Sequence, residues 1–160
     1  LDTPWELQKN MVDINVVALM HLSHLYGNEM KKRRKGRILN VASVAAFSAG
    51  PYMSVYYASK AFVFSLSQAM YEELKGYGVS VTALCPGPTG TNFENTAGLT
   101  NSKMFKVFGV EKADSVVKRG YKGMMRGKAI VYHSKVTYGF NIITRLVSRK
   151  CARNIAGRIN

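Results

Sequence analysis

Residues 36–62 read "GRILNVASVAAFSAGPYMSVYYASKAF", and the rhythm of apolar positions changes inside them. "RILNVAS" is a short β-prone run between Gly36 and a small-residue loop, as suits a buried strand. "AAFSAGPYM" is loop, broken at Gly50-Pro51. From Ser54 to about Leu74 the spacing is helical, and the segment ends at "KGYG", where a glycine suits the left-handed C-cap. A strand that passes through a loop into a long helix is the building unit of a parallel α/β layer.

The flanking segments repeat the alternation. Upstream, Trp5, Leu7, Met11, Ile14, Val17, Ala18, Leu22 and Leu25 recur at threes and fours, as on one helix face. Thr3 is the expected cap, with Pro4 in the first turn and Glu6 three residues after the cap. That helix fades in "KKRRK" and Gly36 ends it; the charge run reads as a solvated helix end. Downstream, "VSVTALCP" is a second strand closed by Pro86-Gly87, a third helix runs from about Lys112 to Met125, and "KAIVYH" is a third strand. Residues 136–160 form a basic amphipathic tail, expected to be helical. The fold class is α/β with a parallel sheet.

The chain has 160 residues, 47% of them hydrophobic, enough for one domain with a core. No apolar run approaches the roughly 18–20 residues that span a bilayer. Cys85 and Cys151 stand far apart with no metal-ligand spacing, so a reduced, cytoplasmic protein without a metal site is expected. His21 and His24 lack a third ligand, and His133 merely ends a strand. The net charge of +14 is uneven: residues 1–100 carry 9 Lys/Arg against 7 Asp/Glu, and residues 101–160 carry 14 against 2. Such a field attracts acidic ligands, anionic lipid or nucleic acid.

Two adjacent tyrosines stand before a lysine in "SVYYASKAF". Only Tyr56 has a cation one turn away, Lys60 at i+4; Tyr57 has Ala61 there. A phenol with an ordinary pKa near 10 is a poor acid at neutral pH, and a nearby ammonium favours its anion, so Lys60 is expected to lower the Tyr56 pKa. Thirteen residues before Tyr56, Ser43 ends the strand "RILNVAS", and the strand ending in "PGPTGT" brings a glycine turn and two hydroxyls to the same edge. Ligands of open α/β sheets bind at these strand ends.

With these residues the sequence resembles the short-chain dehydrogenase/reductase family. It has the Y-x-x-x-K pair as Tyr56 and Lys60, the serine thirteen residues upstream as Ser43, the P-G-x-x-x-T turn as Pro86 to Thr91, and the helix asparagine as Asn15 in "DINVVA". The resemblance covers nearly the whole chain in the right order. It implies the C-terminal part of a Rossmann-like, doubly wound parallel sheet, and an oxidoreductase interconverting a carbonyl and a secondary alcohol with NAD or NADP, NADP being favoured.

The roles follow from the same resemblance. Tyr56 is the general acid in reduction, and Ser43 holds the substrate oxygen. Lys60 lowers the Tyr56 pKa and holds the nicotinamide ribose, and Asn15 positions a water that links Lys60 to solvent. Asn40, Tyr56, Lys60, Pro86, Gly87, Thr89 and Thr91 are implied cofactor contacts. A looser similarity to the branch acting on fatty-acyl and steroid-like carbonyls makes the substrate a small hydrophobic carbonyl or alcohol. Phe93, Leu99, Met104 and Phe105, with Phe108, then line its pocket or pack a lid helix. A homo-oligomer and peripheral membrane contact through the basic tail are the expected partners; nucleic acid is not.

One departure stands out. The family's glycine-rich phosphate loop is absent, and no G-x-G-x-x-G occurs among the 160 residues. A pyrophosphate needs such a loop at a helix N-terminus. The chain therefore reads as the catalytic and substrate half of one domain. The alternative is a truncated, non-enzymatic paralogue whose basic tail binds anionic surfaces or nucleic acid.

Overall fold

The computed structural model describes residues 3–91 and 108–159. In chain order the elements are α1 (Trp5–Val12), a π-helical segment (Asp13–Ala18), α2 (Leu19–Arg33), β1 (Gly36–Val41), a 3₁₀ turn (Val44–Phe47), α3 (Ser54–Lys75), β2 (Val79–Cys85), β3 (Thr89–Gly90), β4 (Glu111–Lys112), α4 (Ala113–Met125), β5 (Ile130–Tyr132), α5 (Lys135–Leu146) and α6 (Arg149–Ile159). β1, β2 and β5 form a parallel sheet in the order β1-β2-β5, with Ile38 beside Val81 and Leu84 beside Val131. β3 and β4 make a small parallel pair.

β2 is the central strand and is buried on both faces; the buried Thr82 among its apolar residues donates to the Lys128 carbonyl. Val79 and Val81 pack with Leu74, Met30, Ile38 and Met70, while Cys85 packs with Val63 and Ala42. On α3, the buried Ser59, Val63, Ser67 and Leu74 fall at helical spacing and face this side of the sheet. Leu84 points the other way, to Val116 of α4 and Val131. There a Cβ on Gly123 would lie 2.1 Å from the Val131 side chain, so only glycine lets α4 lie this close to β5. Helices thus cover both faces, as in a doubly wound sheet.

Several local expectations are corrected. α1 begins after Pro4 with no side-chain cap, so Thr3 does not cap it through its hydroxyl. The helix ends at Arg34, whose φ of 53° closes it, and Gly36 opens β1 instead. The "KKRRK" run is an exposed helix end as expected, with Lys31 Nζ 4.4 Å from the Tyr77 centroid. After α3 the left-handed glycine of "KGYG" is Gly78, while Gly76, the residue that caps the helix, keeps right-handed φ and ψ. The tail is two helices: Val147 turns extended (φ −93°, ψ 158°) and ends α5, and the Ser148 hydroxyl accepts from the Cys151 N–H as α6 begins.

The apolar stripe of the first helix does not pack inward. Trp5, Ile14, Leu22 and Tyr26 are all more than half exposed, whereas the buried positions of α2 are Ser23 and Gly27. Among the described residues β1 has a strand on one side only.

Candidate active site

β1 delivers its end to the site. Ala42 donates its N–H to the Leu84 carbonyl, which carries the pairing one residue past the strand. Ser43 is extended, and its Oγ accepts from the Ala45 N–H at 3.1 Å, which caps the 3₁₀ turn and fixes the hydroxyl. Tyr56, in the first turn of α3, is hydrogen-bonded through its side chain to Ser43. Lys60, one turn on, donates to the Val41 carbonyl at 3.0 Å and sits 5.8 Å from the centre of the Tyr56 ring. Serine, phenol and ammonium are thereby held at the carboxyl end of β1.

Tyr57 faces the core. It is 5% exposed and packs with Ala45 and Ala156. A Cβ on Gly50 would meet its ring at 2.3 Å, so the loop glycine is what makes room for it. The two rings meet edge to face at 6.2 Å.

Burial raises the Tyr56 pKa, the Ser43 hydrogen bond pulls it back, and the neighbouring Tyr57 raises it further. The direction is opposite to the expected lowering by Lys60. The reason is geometric and dielectric: the ammonium lies beside the ring and is committed to a backbone carbonyl, while desolvation penalises the phenolate. Burial also lowers the Lys60 pKa. The Cys85 thiol, buried beneath the site, is pushed up to about 12 and is inert at neutral pH.

Asn15 lies in the π-helical segment, a helix distortion often found at functional sites. Its Nδ2 donates to Ser59 Oγ at 3.1 Å, and Ser59 donates to the Tyr56 carbonyl at 2.8 Å. Ser59 is therefore a positioning residue that sequence reading passed over. Its signal was a small polar side chain one turn after the tyrosine, on the buried face.

The second wall is the turn after β2. Val44 N–H donates to the Pro86 carbonyl, Thr89 Oγ1 donates to the Gly87 carbonyl at 3.1 Å, and Thr91 Oγ1 reaches the Thr89 carbonyl at 3.4 Å. Together these residues bound a cleft of about 390 Å³ in which Asn15, Ser43, Tyr56, Lys60, Pro86, Gly87, Thr89 and Thr91 all take part. Asn40 is set apart from that cleft: its side chain is 7% exposed and donates to Ser67 Oγ at 3.0 Å, tying the sheet to α3. The strand's alternation turns position 40 to the helix face. Phe93, Leu99, Met104 and Phe105 lie outside the described residues. Phe108 is buried against Val44 and Phe140, which makes it packing.

His133, silent in the sequence, is 4% exposed, with Nε2 3.3 Å from Ser115 Oγ and Nδ1 3.3 Å from Glu111. The Ser115 contact ties the end of β5 to α4, while Nδ1, near the Glu111 carboxylate, has no hydrogen-bond partner among the described residues. Among the described residues no helix is long and apolar enough to cross a membrane.

The sequence profile of the short chain dehydrogenase family matches residues 2–101. The 17-beta-hydroxysteroid dehydrogenase type 3 of Mus musculus is 35% identical over 122 residues, which are 76% of this chain and 37% of that protein. A 7beta-hydroxysteroid dehydrogenase of Collinsella aerofaciens is 34% identical over 90 residues, 56% of this chain and 34% of that one. In structure the chain is similar to a short-chain dehydrogenase from Sphingobium yanoikuyae in complex with NADPH, with a TM-score of 0.75, 27% identity, and coverage of 89% and 56%. A 7beta-hydroxysteroid dehydrogenase structure has a TM-score of 0.79 at 22% identity, a likeness of fold, with coverage of 97% and 60%. The chain spans about a third of the length of the curated relatives it matches.

Proposed function

The chain belongs to the short-chain dehydrogenase family, and from that premise we propose that it carries the catalytic half of an NAD(P)-dependent oxidoreductase interconverting a carbonyl and a secondary alcohol. The observation that supports this reading most is the Ser43–Tyr56 hydrogen bond at a strand end, with Lys60 one turn away on the same cleft.

The cleft fits the nicotinamide end of the cofactor. Its lining combines an ammonium, three hydroxyl side chains besides the phenol, and residues of the turn from Pro86 to Thr91, a set suited to a ribose diol and a polar ring. Tyr56 and Lys60 would hold the ribose, and Gly87, Thr89 and Thr91 the ring. When bound, the nicotinamide supplies the hydride. Among the described residues that line the cleft, none forms a phosphate cradle. The relative with NADPH bound favours NADP.

In reduction, hydride arrives at the carbonyl carbon and the Tyr56 phenol gives its proton to the oxygen, while the Ser43 hydroxyl holds that oxygen in place. The raised pKa suits this direction, since it keeps the acid protonated at neutral pH. Reduction is then lost as pH rises through the Tyr56 pKa, and alcohol oxidation gains. Lys60 and Asn15 stand on the same cleft wall, where Lys60 returns a proton to Tyr56 and Asn15 positions a water that links Lys60 to solvent. Hydroxysteroid dehydrogenases among the relatives favour a hydrophobic ketone as substrate.

Ser43→Ala tests the arrangement. Removing a preorganised donor at the reacting oxygen typically costs about 10²–10³ in turnover. It also removes the bond that lowers the Tyr56 pKa, so the rising limb of alcohol oxidation should move to higher pH. A profile that keeps its limb in place, or moves it down, contradicts the role given to Ser43.

The basic tail is proposed to add peripheral attraction to anionic membranes. Ile143 and Leu146, 50% and 81% exposed, stand beside Arg145 and Arg149. Vesicle co-sedimentation should show salt-sensitive binding to anionic vesicles that Leu146→Glu weakens; equal binding to neutral and anionic vesicles, or none to either, removes the idea.

A further inference from the structure

Across α4 from the active-site cleft lies a second, larger concavity of about 940 Å³, bounded by α4, the turn after it, β5 and the start of α5. Ala113, Val116 and Val117 of α4 line the cleft with Tyr56, whereas Asp114, Ser115, Lys118 and Arg119 line this groove. Lys112, Lys118, Arg119, Lys122, Arg126 and Lys128 converge on it, with Lys135 from α5, against the single carboxylate of Asp114.

What sets these charges apart is that they converge on one concave surface. Three lysines outside the groove sit beside a carboxylate one turn away, Lys9 with Asp13, Lys32 with Glu29 and Lys75 with Glu72. Among the described residues none of the seven groove cations is in an ion pair. A concave wall lined by one sign of charge focuses the field on a counter-ion. Lys118, Lys122 and Arg126 follow one another by single turns over about 12 Å. That is the reach of a short polyphosphate. The floor adds Ile130 and two tyrosine rings, Tyr132 and Tyr138, with centroids 5.2 Å apart. A second copy of the chain would bring the same cations against these and be repelled.

We propose that this groove is a binding site for a small organic anion carrying two or more phosphates on an aromatic base, separate from the active-site cleft. The cations on α4 take the phosphates, and Tyr138 with Ile130 contacts the base. The site does not depend on the reductase reading, because it lies on the far side of α4 from Tyr56.

The test is calorimetric titration of the protein with two probes, adenosine 3′,5′-bisphosphate and inorganic tripolyphosphate. Two triple variants with equal charge loss are compared: K118Q/K122Q/R126Q in the groove and R149Q/K150Q/R153Q on α6. All six side chains are exposed, which spares the core. Saturable binding of both probes is expected, weakened about tenfold or more by the groove triple and little by the α6 triple. Tyr138→Ala should weaken the bisphosphate and spare tripolyphosphate. No saturable binding, equal weakening by the two triples, or groove-dependent binding of single-stranded RNA or anionic vesicles but of neither probe would overturn the proposal.

Discussion

Tyr56→Phe, in the active enzyme, is expected to cut carbonyl reduction by at least about 10²–10⁴-fold, the usual contribution of a positioned acid, with cofactor affinity nearly intact. The substitution deletes one oxygen and keeps the ring that meets Tyr57 edge to face. Lys60 and the Pro86 to Thr91 turn, the other proposed contacts of the nicotinamide end, are left in place. Tyr57→Phe is the matched control. That ring is core, packed on Gly50, Ala45 and Ala156, so most activity should survive. Steady-state kinetics with parallel cofactor titration reads both variants. If Tyr57→Phe were as inactive as Tyr56→Phe, the assignment of the pair would be wrong.

The 160 residues expressed by themselves are expected to show no appreciable turnover with NADH or NADPH and far weaker cofactor binding than the relatives bring to a complete site. The cleft offers the proposed contacts for the ribose and nicotinamide end, and among its described lining residues none cradles a pyrophosphate. The same chain should associate. β1 has one strand neighbour among the described residues, and beside its open side lies a hollow of about 500 Å³ lined by Ile14, Leu19, Leu22, Tyr26, Met30 and Ile38. An open strand edge next to exposed apolar side chains invites pairing with another chain. Size-exclusion chromatography and cofactor fluorescence titration examine both halves of this expectation. A well-behaved monomer that binds NADPH at micromolar concentration would show the chain to be self-sufficient.

Much of this was legible in sequence, for identifiable reasons. β2 reads as a strand from Val79, Val81, Ala83, Leu84 and Cys85, which are buried on its two faces, and α3 shows its buried stripe at Ser59, Val63 and Ser67. Ser43, Tyr56 and Lys60 could be placed together because a strand end and a helix start fix their separation. The π-helical segment could not be read, since adding one residue to a turn leaves the apolar spacing of Ile14, Val17 and Ala18 helix-like. Nor could the break at Val147, where the basic amphipathic pattern runs on across two helices. The direction of the Tyr56 pKa depends on how deeply the phenol is buried and where the Lys60 ammonium points, neither of which spacing encodes. Asn40 and Ser67, twenty-seven residues apart, meet only once β1 and α3 are packed.

The central claim is that this cleft transfers hydride to a carbonyl carbon, and isotope transfer tests it most directly. The active enzyme would be given a hydrophobic ketone and NADPH or NADH deuterated on the transferred position of the nicotinamide, and the alcohol product examined by mass spectrometry. The account predicts one deuterium on the carbinol carbon, with product formation nearly abolished in Tyr56→Phe. An alcohol formed without deuterium, or formed equally well by Tyr56→Phe, would contradict it.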